Sequence, residues 1–172
     1  MEFFEAAGAR RSTRAFLPRA VPGEMLERIL ETANLAPSAG NLQSYEIFAV
    51  TNKRKREDLA RAAREQLFIA GAPVVLVFAK HPALSAERYG KRAESLYSIQ
   101  DATIACAFAS LAAAAQGLGS CWIGAFDPAA VRKIVGAPRG VTPVAMLPIG
   151  YASDRPRPRE RRELEELVRR VE

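Results

Sequence analysis

Arg10, Arg11, Ser12, Thr13 and Arg14 bring three guanidinium groups and two hydroxyls together within five residues. Guanidinium forks match phosphate oxygens with paired hydrogen bonds and do not lose their charge, so the chemistry available here is the binding of phosphate or a similar anion. A solvated basic turn has the same composition, and the stretch alone does not separate the two readings. A second stretch of interest is Ala36 to Gln43, APSAGNLQ. Its proline and glycine break regular structure, while Ser38, Asn41 and Gln43 offer a hydroxyl and two amides with no charge. Read plainly it connects a helix to a strand; loops held between rigid elements are also where binding groups collect.

Other reactive side chains are few. The two cysteines, Cys106 and Cys121, sit in neither a metal-ligand nor a CxxC spacing, and the single histidine, His81, has no ligands around it. A reduced, cytoplasmic protein without metal follows, and no signal peptide is recognised at the N-terminus. No catalytic side chain is nominated, because there is no His, Cys or carboxylate cluster to supply one. Asp101 stands alone in an apolar run, and the expectation for it is a buried carboxylate paired with an arginine.

The elements that must position these groups follow from pattern. A chain of 172 residues, 49% hydrophobic and 26% charged, fits a single domain, 1–172, with a C-terminal arm from about residue 151. The net charge of +6 raises a nucleic-acid partner. The one dense basic block (Lys53, Arg54, Lys55, Arg56, Arg61, Arg64) alternates with Glu57 and Asp58 and has no interleaved aromatics, so a solvated helix face accounts for it better. Helices are expected at Glu2 to Ala9, from Pro22 to before Pro37, at Asn52 to Leu67, and from Asp127-Pro128 to about Val135. Strands are expected at Tyr45 to Thr51, Ala72 to Ala79, Ser120 to Gly124 and Pro143 to Gly150. Lys80 to Glu94 reads as a polar irregular segment, either a lid or a long surface loop.

Ser95 to Gln116 is the most unusual segment: a helix of about six turns, apolar on nearly every side, ended by Gly117 to Gly119. Such a helix is buried all round or crosses a membrane. Asp101, Gln100 and its hydroxyl residues disfavour the membrane, which leaves packing between subunits of a symmetric dimer.

RRSTRAF, LAPSAGNLQ, QDATIA, AAQGLGSCWIGAF and LPIGYASDRPRPRERRELEELV, in this order and from Phe3 to Val168, resemble the FMN-dependent nitroreductase family, particularly its short prokaryotic members. The resemblance implies an α+β fold: a mixed sheet flanked by helices, with a long buried central helix at a homodimer interface and flavin sites shared between subunits. It implies an oxidoreductase that takes a hydride from NAD(P)H onto bound FMN and passes electrons, by a ping-pong course, to a nitroaromatic, quinone or similar small electrophile. No nucleic acid and no membrane would be involved. Reductive dehalogenation, flavin fragmentation, or binding of flavin or nucleic acid without turnover are the alternatives.

By motif position, Arg10, Arg11, Ser12 and Arg14 would hold the flavin, with Arg10 at the phosphate and Arg14 at the pyrimidine edge. Pro37, Ser38, Ala39, Asn41 and Gln43 would reach it from the other subunit. Leu118, Gly119, Trp122, Ile123 and Gly124 belong to the loop facing the flavin edge that takes up the hydride, and Arg159 and Arg161 would close on the phosphate. The sequence departs from longer members in two places. An amide and a lysine before the second core strand are replaced by AREQLFIAGAP, where Gln66 is the available amide, and the excursion over the substrate face is limited to Leu84 to Arg92.

Overall fold

The computed structural model describes residues 2–154 and 156–171. Arg155, within the expected C-terminal arm, lies outside the described residues. The elements in chain order are α1 (Phe3–Ala9), α2 (Gly23–Asn34), a short turn of 3-10 helix (Ala39–Asn41), β1 (Tyr45–Val50), α3 (Lys53–Ala62), α4 (Phe68–Gly71) and β2 (Val74–Lys80). There follow α5 (Ala83–Tyr89), a π turn (Ala93–Tyr97), α6 (Ser98–Ala115), β3 (Gly119–Ser120), α7 (Pro128–Val135), β4 (Thr142–Gly150) and α8 (Leu164–Leu167).

The strands form one sheet in the order β1-β2-β4-β3, and every neighbouring pair runs antiparallel. Its mixed character reduces to a single parallel bridge between Ser12 and Ser120, which ties the N-terminal arginine stretch to the edge strand. β2 is buried on both faces. Val74, Leu76 and Phe78 join α2 and α6 in one cluster, while Val75 and Val77 join α3, α4 and α7 in the other. Each fully buried side chain of this kind contributes about 1.5–3 kcal/mol, and the sheet is held from both sides.

Local chemistry explains most boundaries. Asp127 caps α7 by accepting from the N–H groups of Ala129 and Ala130, Pro128 occupies the first helical position, and Gly136 ends the helix in left-handed backbone. The basic helix expected to reach Leu67 stops at Ala62, because Arg64 and Glu65 turn to φ 58° and 59° and reverse the chain before α4. The segment 80–94 is mostly helical: α5 fills it, and its polar exposed face hides the period that would have revealed it. The expected strand at Ser120 to Gly124 shortens to Gly119–Ser120, with one further bridge between Ile123 and Met146.

The long helix begins as a π turn and continues as α6. Alanine dominates the side that meets the sheet, where Ala102, Ala105, Ala109 and Ala113 let the backbone approach closely. Within one chain its opposite side is open: Thr103, Ile104, Phe108 and Leu111 are only half-buried and Ala107 is exposed. Burial all round therefore needs a neighbour beyond this chain.

Candidate functional site

Helix α1 delivers the arginine stretch. Its last turn closes when the Arg10 N–H donates to the Ala6 carbonyl at 2.9 Å, and the chain then runs along β3, where the Thr13 N–H donates to Ser120 O at 3.0 Å. Thr13 is buried against Gly119, whose position leaves no space for a side chain: a Cβ there would lie 2.5 Å from Thr13 Oγ1 and 2.8 Å from Thr13 Cβ. Ser120 is in turn fixed to α6 by its contact with Ser110, Oγ to Oγ 3.2 Å. Glycine at 119 is thus what lets the stretch Ser12 to Arg14 lie flat on the end of the core.

The arginines divide by what they meet. Arg11 folds back, donating from Nη1 to the carbonyls of Gly8 and Arg10. The Arg14 guanidinium lies 5.8 Å from the centre of the Phe68 ring. Arg10, Arg11, Ser12 and Arg14 line a cavity of about 790 Å³ whose other wall is the C-terminal arm, through Pro156, Arg157, Pro158, Arg159 and Arg161. Among the described residues, no carboxylate lies within 4 Å of Arg10, Arg14, Arg159 or Arg161. Clusters some 150 residues apart in sequence thus converge on one uncompensated positive concavity. Beside it is a second hollow of about 360 Å³, lined by Arg10, Gly117, Leu118, Gly119, Ser120 and Asp154 among others. The loop after α6 is therefore continuous with the arginine cavity, with Trp122 half-exposed at its outer end and Ile123 buried against β4. Gly124 leaves Trp122 Nε1 3.7 Å from where its Cβ would stand.

Cys121 lies beneath this surface. Burial pushes its thiol up, and the nearby Arg14 and Arg10 charges and a hydrogen bond with Ser12 offset only part of that, so it stays a neutral thiol at physiological pH. Cys106, inside α6, is pushed up further by burial alone.

The amide loop lies elsewhere. Asp101, near the start of α6 and buried, holds it from below: Oδ1 accepts the Ala39 N–H at 2.9 Å and Oδ2 the Ser44 N–H at 3.2 Å. The arginine partner expected for this carboxylate is not the one found, because backbone amides fill both oxygens. Ser38 Oγ accepts the Gln43 N–H at 3.0 Å, and Gln43 Nε2 donates to Asn34 Oδ1 at 2.8 Å. Gly40, Asn41 and Gln43 all take positive φ (58°, 57° and 48°), so two non-glycine residues are kept in left-handed backbone. Pro37 and Asn41 are exposed on the outer surface of this turn.

The sixteen residues nominated from sequence thus form two groups. The arginines, Ser12 and the 118–124 loop gather at the C-terminal end of α6; Pro37, Ser38, Ala39, Asn41 and Gln43 gather near its start. Asp101 and Ala115 are separated by about 21 Å of helix. A single chain does not bring the two groups together. Gln66 belongs to neither: its side-chain nitrogen donates to Ala63 O at 2.9 Å and Ala125 O at 3.4 Å. Thr13, Phe68 and Asp154 were not among the nominated site residues. Thr13 sits inside the arginine motif and could have been read from it; Phe68 and Asp154 carry no local signal.

Comparison with known proteins gives consistent results. The family model described as the nitroreductase family matches residues 7–70 and 63–151. An NADH dehydrogenase of Thermus thermophilus is 32% identical over 190 residues, covering 95% of this chain and 93% of that protein. An FMN reductase [NAD(P)H] of Bacillus subtilis is 29% identical over 171 residues, covering 90% of this chain and 67% of that one. The solved structure of an NADPH:FMN oxidoreductase from Vibrio harveyi, complexed with NAD+, superposes with a TM-score of 0.90 at 25% identity, over 99% of this chain and 77% of the other.

Proposed function

The chain belongs to the nitroreductase family, and from that premise we propose that it is an FMN-dependent oxidoreductase that draws a hydride from NAD(P)H and delivers electrons by a ping-pong course to a nitroaromatic, quinone or similar small electrophile. The observation that carries this reading is the convergence of Arg10, Arg14, Arg159 and Arg161 on one cavity, with no carboxylate within 4 Å of them among the described residues. Forked cations converging on one concavity fit a phosphate-bearing group, and the close packing of Gly119 on Thr13 holds the arginine stretch in place beside it. The relatives named for FMN and NAD(P)H support the same assignment.

Bound FMN supplies the two-electron chemistry that no side chain of this protein offers. The protein's own residues hold and orient. Arg10, Arg159 and Arg161 would hold the phosphate, and Arg14 would supply a fixed positive charge to offset the negative charge that reduction adds. The Leu118 to Gly124 loop would present its backbone to the bound ring, Leu118, Gly119 and Ser120 lining the adjoining hollow. The loop of Pro37, Ser38, Ala39, Asn41 and Gln43 comes from a second copy of the chain, since about 21 Å of helix separates it from the arginine cavity of its own copy. The half-open stripe of α6, Thr103 to Leu111, is the surface through which that homodimer closes.

The test is the visible absorption of the purified protein, before and after anaerobic addition of NADPH or NADH. Paired flavin bands that bleach are the expected result. A colourless protein that takes up no added FMN overturns the proposal.

A further inference from the structure

Helix α5 and the π turn after it carry a cluster that holding a flavin does not require. The rings of Tyr89 and Tyr97 meet edge to face with centroids 4.8 Å apart. Arg88 lies 5.4 Å from the Tyr89 ring centre and Arg92 5.1 Å from that of Tyr97, and Arg92 Nε donates to Tyr97 Oη at 3.1 Å. The cluster is pressed against the amide loop: a Cβ built on Gly40 would lie 2.6 Å from Tyr89 Oη and 2.7 Å from Arg88 Nη1. Glycine at 40 serves a positive φ and a close approach at once, and it brings a guanidinium and a phenol against the backbone of the loop that carries Asn41.

The two arginines differ in what they are free to do. Arg92 is committed to Tyr97; Glu94, two residues beyond it, is paired with Lys80 at 3.3 Å, and Glu87, which precedes Arg88, makes no ion pair with it. Among the described residues no carboxylate lies within 4 Å of Arg88. Its fork is held beside an aromatic face without a counter-charge. A flat face beside a guanidinium and a hydroxyl suits a flat molecule bearing a carboxylate or phosphate, the one group this fork grips with two bonds.

We propose that Arg88 and Tyr89 recognise the anionic group of a small planar molecule that exchanges electrons at the site, whether an aromatic carboxylate acceptor or the phosphate of the nicotinamide dinucleotide. The inference rests on the reading above, in which the loop carrying Gly40 and Asn41 in one copy faces the arginine cavity of the other. It adds a selection by charge, toward anions and away from neutral or cationic analogues of the same shape.

The experiment is calorimetric titration of 4-nitrobenzoate, 4-nitrobenzamide, NAD+ and NADP+, the last two being unable to reduce the flavin, into the FMN-loaded protein, in wild-type, Arg88→Gln and Arg88→Lys forms, with flavin content read first by absorbance. Arg88→Gln is expected to lower affinity for at least one anion by about tenfold or more relative to neutral 4-nitrobenzamide, with Arg88→Lys recovering part of it. A loss confined to 4-nitrobenzoate assigns the carboxylate. A loss confined to the dinucleotides assigns their phosphates, and a larger loss for NADP+ than NAD+ assigns the 2′-phosphate. Protein that holds flavin but shows every ratio within about twofold of wild type overturns the role of Arg88 alone. Protein that takes up no flavin overturns the proposed function, and the role of Arg88 falls with it.

Discussion

The Asp101 carboxylate on α6 accepts the backbone N–H of Ala39 at 2.9 Å across 62 positions of sequence, and its second oxygen accepts that of Ser44. A buried carboxyl group held by two backbone donors ties the amide loop to the central helix, beside Asn41 and Gln43 in left-handed backbone. Asp101→Asn keeps the shape but turns an NH2 group toward one of the donors. The expected cost is about 1.5–3 kcal/mol of unfolding free energy, read from urea denaturation. Flavin retention should fall with it, because the loop relaxes from its strained turn. An unchanged denaturation midpoint would show that the carboxylate does not hold the loop.

Arg10 and Arg161 reach the same cavity from opposite ends of the chain. Arg10→Ala and Arg161→Ala should each weaken FMN binding by roughly 10- to 100-fold, the loss of one charged hydrogen bond, with little effect on unfolding because neither guanidinium supports the core. Fluorescence titration of apoprotein with FMN measures this. Unchanged affinity in both variants would place the phosphate elsewhere.

How far the sequence foretold these arrangements depends on the range of the interaction. Helix α7 was readable because Asp127, Pro128 and Gly136 act within a few residues of one another. The central helix was readable because an apolar run of its length admits few environments. Helix α5 was not, since its polar face lacks a period and its packing partner, Gly40, is more than 40 residues away. The partner of Asp101 was mistaken for the same reason: side-chain chemistry suggests an arginine, while the fold supplies two backbone amides that no sequence pattern announces. The arginine stretch was visible as an anion site or a basic turn, and only convergence with Arg159 and Arg161 separates these.

Gly119 marks the closest approach at the site, with no space for a Cβ beside Thr13. Gly119→Ala is expected to destabilise the fold by about 1–3 kcal/mol through overpacking. It should also lower FMN affinity by displacing Ser12 to Arg14. Adding Thr13→Gly should recover part of both losses, because it removes the atoms the new methyl meets; strictly additive effects in the double-mutant cycle would refute direct contact.

Both thiols are buried and pushed up in the folded state. They remain protonated in the native protein while the unfolded chain ionises near pH 8.5. Their contribution is therefore complete below about pH 8.5 and is lost as pH rises beyond it, by up to about 1.4 kcal/mol per pH unit for each thiol. Urea midpoints between pH 7 and 9.5 should fall more steeply for wild type than for a Cys106→Ala, Cys121→Ala double variant. Equal slopes would count against this account. Native protein should also react slowly with a disulfide reagent at pH 8, and rapidly once unfolded.

Ala107 sits in the middle of the open stripe of α6, exposed in the single chain between half-buried Thr103 and Leu111. If this stripe closes the homodimer, Ala107→Glu places a carboxylate in the middle of an otherwise apolar helix stripe, and dimerisation should weaken by about a hundredfold or more. Sedimentation velocity at micromolar concentration then reports a monomer where wild type gives a dimer. The same variant should lose FMN even though Arg10, Arg14, Arg159 and Arg161 are untouched, because the second half of the site arrives only with the partner. Retained flavin in a monomeric Ala107→Glu protein would place the whole cofactor site within one chain, despite the length of helix that separates the amide loop from the arginine cavity.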